Sequence, residues 1–269
     1  MNIINITNID DSRLDNFYRT KEKSLHKAYN LGNGFFIGES ELVISRAIDS
    51  GYEPVSFLCE ENCVDDYRTI FNRCKDDITV YVVSNDIFNQ LKGYILIKGI
   101  MAIFKRKQDL SIEEVCKNAR RIVVLDNVEN PTNVGAIFRN AAALFVDGIL
   151  LTEETCDPLY RRSIRVSMGN VFNINYAYIS SDNYIETLHS MGYKVVCLAL
   201  RDDCVDIDDE RLNSEEKLAI VLGSEGYGIK QENIDLADYV CKIDMNSKVD
   251  SLNVASASAI ALWQLCKKK

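Results

Sequence analysis

Short apolar runs alternate with amphipathic or polar stretches through the second half of the chain. The runs have the length and β-branched content of strands, and we predict strands at residues 122–125, 148–151, 172–179, 194–199, 219–222 and 239–243. Most of the stretches between them are typical of helices, and a longer helix is predicted over residues 250–266. Strands that alternate with helices form a parallel sheet covered on both faces, so the predicted fold class is α/β.

The chain before residue 106 has a smaller α/β pattern of its own. Helices are predicted over residues 13–29 and 39–50, the second closed by Gly51. The predicted strands are 35–37, 55–59, 78–83 and an apolar stretch at 95–104 that Gly99 interrupts. Ser111 and Glu114 have the spacing of a capping box that opens a short helix. We therefore predict a first domain at 1–105, a linker at 106–118 and a second domain at 119–269.

Composition is that of an ordinary globular protein and argues against several classes. Of 269 residues, 47% are hydrophobic and 26% are charged. No apolar run approaches the ~18 residues of a membrane span, and no secretory signal is recognised at the start of the sequence. Nine cysteines are irregularly spaced and only two histidines accompany them, so no metal site is expected. Scattered thiols are typical of reduced, buried cysteines, and we predict a cytoplasmic protein.

The excess of acidic residues is concentrated in one segment of the chain. The formal net charge is −9, which argues against nucleic acid because phosphate contacts need Lys and Arg. Residues 202–216 hold eight carboxylates against Arg211, a balance of −7, so the rest of the chain is near neutrality. A solvated surface is the plainer interpretation of each basic cluster elsewhere. Arg161, Arg162 and Arg165 are the exception, since helical spacing would place two of the three on one face.

Residues 130–140, NPTNVGAIFRN, predict a helix that carries an isolated cation. Pro131 has the fixed φ of a helix start. From 134 to 146 every residue is apolar or glycine except Arg139 and Asn140, and a helix that is apolar on all sides is predicted to be buried. A guanidinium there must be paired or directed into a cleft, which favours a functional role for Arg139. The structural alternative is an arginine whose stem covers apolar surface while its head stays in solvent.

Residues 222–228, LGSEGYG, form a glycine loop at the end of a predicted strand. Ligands of open α/β sheets bind at the carboxyl ends of strands. Glycines let the backbone approach a ligand closely, although many such loops are only turns. The spacing matches neither the dinucleotide fingerprint nor a phosphate-binding P-loop.

Residues 249–254, VDSLNV, precede a helix rich in Ala and Ser. Asp250 or Ser251 can cap that helix. Small residues allow close helix packing, and a capped core helix is an equally good interpretation of this segment taken alone.

In order and spacing, the three segments resemble the three motifs of the SpoU/TrmH family of SPOUT methyltransferases, over roughly residues 121–265. The resemblance implies a C-terminal trefoil-knot domain, a topology that is exceptional among folds. It implies S-adenosylmethionine as cofactor, with methyl transfer to a ribose 2′-hydroxyl of ribosomal or transfer RNA. It also implies a homodimer, for which the apolar helices at 134–146 and 252–266 offer surface. Less specifically, residues 36–40 (FIGES) resemble the L30e-like RNA-binding domain, with Ser40 where that pattern has Gly.

The resemblance also implies roles for individual residues. Arg139 would be the catalytic residue, positioned by Asn133 and oriented by Glu225 through a charge-assisted hydrogen bond. Because Arg is essentially always protonated, electrostatic stabilisation suits it better than general-base catalysis. The cofactor-binding residues would be Leu222, Gly223, Glu225, Gly226, Ile243, Met245, Ser251, Leu252 and Asn253. The RNA contacts would include Arg161, Arg162, Arg165 and Ser167.

Two departures from the family pattern leave other functions open. Asp244 stands where the family usually has Pro, and Ser247 where it usually has Gly, so cofactor binding could be weakened. The main alternative is therefore a non-catalytic RNA-binding protein of the same fold. A second alternative, supported by the sequence pI of about 4.9, is an unrelated α/β enzyme that acts on a small substrate.

Overall fold

The chain forms two compact units that are not contiguous in sequence. A computed structural model describes residues 1–19, 34–92, 99–201, 203–246, 248–249 and 251–266. The first unit contains Met1–Gln108 together with Leu159–Phe172, and the second contains Asp109–Pro158 and Asn173–Lys269. The predicted two-domain division placed the segment Leu159–Phe172 with the second domain, whereas its contacts place it in the first unit.

The first unit is built on a five-stranded mixed sheet with strand order β1-β4-β3-β5-β2. Its strands are β1 Asn2–Asn5, β2 Phe35–Glu39, β3 Pro54–Glu60, β4 Thr79–Val83 and β5 Ile100–Lys105. The neighbours β1, β4 and β3 run parallel, and β5 is antiparallel to both β3 and β2. Strand β1 was not predicted, because its four residues, NIIN, do not alternate between apolar and polar side chains.

Eleven α-helices lie within the described residues. They are α1 Asp15–Tyr18, α2 Glu41–Asp49, α3 Arg68–Phe71, α4 Asn85–Lys92, α5 Ile112–Cys116, α6 Pro131–Ala143, α7 Arg161–Val166, α8 Tyr184–Ser190, α9 Glu210–Ser214, α10 Gln231–Leu236 and α11 Val254–Leu265. Helix α1 covers only the beginning of the predicted helix 13–29, and residues 20–33 lie outside the described part of the chain. The first part of the predicted strand 95–104 also lies outside it.

The second unit is built on a seven-stranded sheet in which every described pair of neighbours is parallel, as predicted. The strand order is β10-β12-β9-β11-β6-β7-β8. The strands are β6 Arg121–Asp126, β7 Gly148–Thr152, β8 Tyr176–Ile179, β9 Lys194–Leu198, β10 Val205–Asp206, β11 Leu218–Gly223 and β12 Tyr239–Lys242. Strand β8 is shorter than predicted, because Phe172 belongs to a 3-10 turn and residues 173–175 form no regular structure. The edge strand β10 was not predicted.

Both faces of this sheet are covered by helices. Alternate strand residues such as Ile122, Val124, Ala219 and Val221 share one buried cluster with side chains of α5, α8 and α10. Helix α11 contacts both β11 and α6. Because successive side chains of a strand point to opposite faces, α6 and α11 cover the other side. The sheet therefore has the buried, two-sided arrangement expected of parallel strands. The trefoil knot and the L30e-like identity of the first unit stay predictions.

The helix ends agree in part with the predicted caps. Ser111 and Glu114 form the capping box at α5, with reciprocal bonds of 3.2 and 2.8 Å. Pro131 opens α6, and the Asn130 side chain accepts a bond from the Thr132 N–H at 2.8 Å. The cap predicted for α11 at Ser251 was wrong, since Asn253 caps this helix, and Asp250 lies outside the described residues. No described helix has the length and apolar character needed to cross a membrane.

Candidate functional site

Two adjoining pockets lie at the carboxyl ends of β9, β11 and β12, which are neighbours in the second sheet. The larger has a volume of about 310 Å³ and the smaller about 120 Å³. Leu198, Ser251, Leu252 and Ala257 line both, so the two form one cleft. This is the place at which open parallel sheets bind ligands. The cleft is built by the strand ends together with the glycine loop and the segment before α11.

Most of the residues predicted to bind a cofactor line this cleft. The larger pocket is lined by Leu222, Gly223, Glu225 and Asn253, in addition to Ser251 and Leu252. Ile243 and Met245 line the smaller pocket. Gly226 lines neither pocket, whereas Gly228 lines the larger one. The fold therefore brings together residues separated by up to about 30 positions in sequence, and their binding role stays a prediction. Of the two family departures, Asp244 is exposed, and Ser247 lies outside the described residues.

The glycine loop is closed on itself and requires a glycine at its first position. Ser224 and Gly228 pair across the loop, with the Gly228 N–H donating to the Ser224 carbonyl at 3.0 Å. A Cβ atom on Gly223 would lie 2.5 Å from the Gly228 carbonyl carbon and 2.6 Å from the Ile229 nitrogen. Both are backbone atoms and cannot move aside without moving the loop. Gly228 has φ +68°, in the region that favours glycine. A Cβ on Gly226 would meet no atom within 4 Å.

Hydrogen bonds between two amides and a carboxylate join the three motifs beside the cleft. The Asn253 amide nitrogen donates to Glu225 Oε1 at 2.6 Å and to Asn133 Oδ1 at 3.2 Å. The Asn253 side-chain oxygen Oδ1 accepts from the Ala255 N–H at 3.0 Å, which caps α11. Asn133 is 4% exposed, yet its amide nitrogen has no hydrogen-bond partner among the described residues. Buried polar groups are nearly always paired, so this donor, one hydrogen bond away from the cleft residue Asn253, is available to a polar atom of a ligand.

The predicted burial of Arg139 was wrong. Arg139 is exposed, and it makes no hydrogen bond or ion pair with any residue that the structure describes. Helix α6 packs against α11 through part of its circumference, and Asn140 donates to Ala255 O and Ser258 Oγ at that contact. Arg139 instead shares the outer stripe of α6 with Ala136 and Ala143, at helical spacings of three and four. Glu225 accepts from Asn253 in this conformation, and the predicted bond in which Arg139 would donate to Glu225 is not formed.

The four residues predicted to contact RNA all lie in the first unit, in the segment Leu159–Phe172. Arg161 is bound to the buried carboxylate of Glu39, with its Nε at 2.6 Å, and also donates to the Phe17 carbonyl at 3.0 Å. Ser167 is fully buried and donates to the Ile164 carbonyl at 2.8 Å. Arg162 is exposed and Arg165 is half-buried. The conformation therefore gives Arg161 and Ser167 internal partners and leaves Arg162 as the most accessible of the four.

A buried carboxylate at the end of β6 lies beside the glycine loop, although it lines neither pocket. Asp126 is paired in register with Gly223 of β11, the first glycine of the loop. It accepts from the Tyr184 hydroxyl at 2.8 Å and weakly from the Asn233 amide at 3.5 Å. Burial raises the pKa of Asp126, although these two bonds oppose the shift.

Sequence reasoning missed several residues that line the cleft, among them Ser224, Gly228 and Val254 of the larger pocket. In the smaller pocket they are Leu198, the last residue of β9, and Ala199 and Leu200, which follow it; β9 lies between β11 and β12. The strand itself was predicted, but its place in the sheet order was not, so its carboxyl end could not be assigned to the cleft. Among the described residues, no group of His, Cys, Asp or Glu side chains could hold a metal ion.

Comparison with known proteins places this site in a family. Residues 120–263 match the model of the SpoU rRNA Methylase family. An uncharacterized tRNA/rRNA methyltransferase of Mycobacterium tuberculosis is 29% identical over 98% of this chain and 92% of its own length. The 23S rRNA (guanosine(2553)-2′-O)-methyltransferase RlmP of Bacillus subtilis is 26% identical over 90% of this chain and 93% of its own.

Solved structures show the same fold. An AdoMet-bound rRNA methyltransferase from Sinorhizobium meliloti has a TM-score of 0.83 and 23% identity, covering 98% of this chain and 97% of its own. The SpoU methyltransferase AviRb from Streptomyces viridochromogenes, in complex with AdoMet, has a TM-score of 0.78 and 20% identity, covering 95% and 98%. The family match spans more than half of the sequence, including all three motifs that meet at the cleft. The chain belongs to the SpoU rRNA Methylase family.

Proposed function

We propose that this protein transfers a methyl group from S-adenosylmethionine to the 2′-hydroxyl of a ribose in ribosomal or transfer RNA. The observation that carries the proposal is the cleft at the ends of β9, β11 and β12, where three distant motifs meet through the Asn253 amide. Membership of the SpoU rRNA Methylase family and the names of the relatives support the reaction and the class of substrate.

The residues of the cleft suit S-adenosylmethionine. The larger pocket alone reaches the size of small-molecule sites, which begin at about 300 Å³. Apolar side chains such as Leu222 and Leu252 line it beside the polar groups of Glu225, Ser251 and Asn253. The unpaired amide nitrogen of Asn133 is a further donor that a ligand or a water could satisfy. Gly223 and Gly228 would let the loop backbone lie against the cofactor.

In the reaction, a bond forms between the ribose 2′-oxygen and the methyl carbon while the bond from that carbon to sulfur breaks, and the hydroxyl proton is released. S-adenosylmethionine supplies the electrophilic methyl group when it is bound. Positioning of the two reactants supplies a large part of the rate. We assign Arg139 the electrostatic role, because its exposed guanidinium can hold an RNA phosphate and stabilise negative charge that develops on the 2′-oxygen. Asn133 and Glu225 position cofactor and substrate through Asn253.

We also propose a homodimer in the cytoplasm. Helix α11 is apolar around most of its circumference, and Ile260 and Trp263 are 40% and 68% exposed on it. They form an apolar patch on α11 that a second copy would cover. Two-fold dimers commonly use such apolar helical faces. The cytoplasm contains the proposed RNA substrates and keeps thiols reduced, in agreement with nine cysteines that are all free.

The proposal is tested with purified protein and RNA from cells that lack this gene. Calorimetry should show saturable binding of S-adenosylmethionine, and the protein should methylate ribosomal or transfer RNA at a 2′-oxygen that mapping by alkaline hydrolysis identifies. RNA binding without cofactor binding would overturn the enzymatic function and support the non-catalytic alternative. Absence of salt-dependent binding to either RNA would overturn both.

A further inference from the structure

The tip of the glycine loop presents a bare aromatic ring to solvent. Tyr227 is 93% exposed, the highest value among the large hydrophobic side chains that the structure describes. Within that part of the chain its ring stacks on no other ring, and its hydroxyl makes no hydrogen bond. Large aromatic side chains are normally buried or at interfaces, because they carry much of the apolar area of a protein. A ring in this setting therefore indicates a surface that meets a partner.

The loop holds Tyr227 in a defined place beside the cleft. The Tyr227 N–H donates to Ser224 Oγ at 3.1 Å, and the loop is closed one residue later by the bond from Gly228 to Ser224. Ser224, Glu225 and Gly228 all line the larger pocket. The Cα atom of Tyr227 is therefore about 3.8 Å from that of a residue that lines the pocket. Its backbone is held by these bonds, while its side chain projects away from the loop.

This inference rests on the proposed reaction, which brings RNA to this edge of the cleft. A ribose must enter the cleft until its 2′-oxygen is about 3–3.5 Å from the methyl group. Its base and the neighbouring bases must then lie at the mouth of the cleft. Bases within a double helix are already stacked on both sides, whereas bases of loops and bulges can be splayed out onto aromatic side chains.

We propose that Tyr227 stacks on an unpaired base at or next to the nucleotide whose ribose is methylated. The substrate is then a loop, bulge or other single-stranded segment of RNA, and regular duplex is excluded. Glu225, two residues earlier, lines the pocket and is hydrogen-bonded to Asn253. In this arrangement Glu225 faces the cofactor and Tyr227 faces the RNA. Stacking of one base on an aromatic side chain is worth about 1–3 kcal/mol, or roughly 5-fold to 150-fold in affinity.

The experiment compares Tyr227→Ala, Tyr227→Leu and Tyr227→Phe with the full-length wild type. Single-turnover methylation is measured against RNA concentration, with ribosomal and transfer RNA from cells that lack the gene. Loss of the ring in the Ala and Leu variants should raise the half-saturating RNA concentration about 5-fold to 150-fold. The Phe variant should stay within about 3-fold of wild type, because stacking needs the ring and not the hydroxyl. Leu236→Ala is the matched control, since Leu236 is also exposed but lines neither pocket.

Two further readouts separate stacking from a structural role. Calorimetric affinity for S-adenosylmethionine should be unchanged in all three Tyr227 variants. Direct binding to single-stranded oligonucleotides should fall in the Ala and Leu variants, while the weaker binding to duplex RNA should not change. Wild-type RNA affinity in Tyr227→Ala, loss of cofactor binding in it, or an equal loss in Tyr227→Phe would each overturn the inference. If wild type binds RNA but does not methylate it, the proposed function fails, and the oligonucleotide comparison still decides the role of Tyr227.

Discussion

Arg139 makes no hydrogen bond or ion pair with the residues that the structure describes, so its proposed catalytic role can be tested separately from stability. Because its side chain is exposed, Arg139→Ala should leave the unfolding temperature unchanged and reduce single-turnover methylation by about 10²–10³-fold. Arg139→Lys should restore little, since lysine lacks the planar fork that holds phosphate and alkoxide together. Cofactor affinity serves as the control and should change less than about 3-fold. A near-normal rate in Arg139→Ala would transfer the catalytic role elsewhere, with Glu225 the next residue to test.

Ser40 occupies a backbone conformation that suits glycine. It precedes α2 with φ +77° and ψ 152°, and its side chain makes no capping bond. A residue other than glycine in this region is strained by about 1–3 kcal/mol. Replacing Ser40 by glycine removes this strain, but part of the stability gained is lost because glycine has greater freedom in the unfolded chain. We expect Ser40→Gly to raise the thermal midpoint by about 2–4 °C, measured by calorimetry. Ser40→Ala is the control and should give no increase. A lower midpoint in Ser40→Gly would contradict the strain.

The positions of some single residues in the structure could be predicted from the sequence, and those of others could not. The cofactor-binding candidates Gly223, Glu225 and Asn253 follow or precede elements whose positions were predictable, and they line the cleft. The exposure of Arg139 was not predictable, because an all-apolar helix does not show which side faces the protein and which side is left for a partner. The bond between Arg161 and Glu39 joins residues 122 positions apart and has no local sequence signal.

At the scale of elements, alanine substitutions at two glycines of the loop should affect cofactor binding differently. Gly223→Ala would place a Cβ 2.5 Å from the Gly228 backbone and should displace the loop. Its affinity for S-adenosylmethionine should fall by at least about tenfold, or 1.4 kcal/mol, in a calorimetric titration. Gly226→Ala meets no atom within 4 Å and should bind within about 2-fold of wild type. Equal affinities in the two variants would show that the cofactor does not depend on the loop.

Asp238 ties the start of β9 to the end of α8 and should make stability depend on pH. Burial opposes its charge, but bonds from Lys194 at 2.6 Å, from the Val195 N–H at 2.9 Å and from His189 at 2.8 Å leave its pKa below the usual value. A lowered pKa in the folded state contributes stability above the unfolded value of about 4, and this is lost as pH falls through the folded pKa.

Asp238→Asn should therefore destabilise the protein at neutral pH by about 1–2 kcal/mol, a figure reduced for the exposed Lys194 and His189. The difference from wild type should shrink below pH 4, because protonation leaves Asp238 of the wild type uncharged, as Asn is at every pH. Unfolding midpoints recorded across this pH range provide the measurement. Asp235→Asn, which removes an exposed pair with Arg201, is the control and should change stability by about 0.5 kcal/mol or less. A difference that is constant with pH would exclude the charge of Asp238 as its cause.

Elements with strong apolar runs were predictable, and short edge elements were not. The buried strands β6, β7, β9 and β11 consist largely of Val, Ile and Leu, as expected of parallel strands covered on both faces. Strand β10 has two residues within the acidic segment and is held by its pairing with β12 alone. Such a strand is specified by its neighbour in space and not by its own sequence.

At the scale of the whole molecule, the proposed dimer predicts that surface charge on α11 will separate the copies. Sedimentation at micromolar concentration should give twice the chain mass of 30.5 kDa for wild type. Trp263→Glu should shift the protein to the monomer, because an unpaired carboxylate would be buried in the interface. Leu236→Glu adds the same charge to α10 and should leave the mass unchanged. A wild-type protein that sediments as a single chain would contradict the dimer.

The membership of Leu159–Phe172 in the first unit makes the chain cross between the units three times, near residues 108, 158 and 172. A fragment that begins at residue 109 would keep Arg161 and lose the Glu39 carboxylate that binds it. It would also expose Phe172, whose ring packs on Phe36 and Tyr52. The methylase half is thus not an independent module that evolution or an engineer could transplant by a single cut, and a graft of it must carry a redesigned replacement for this inserted segment.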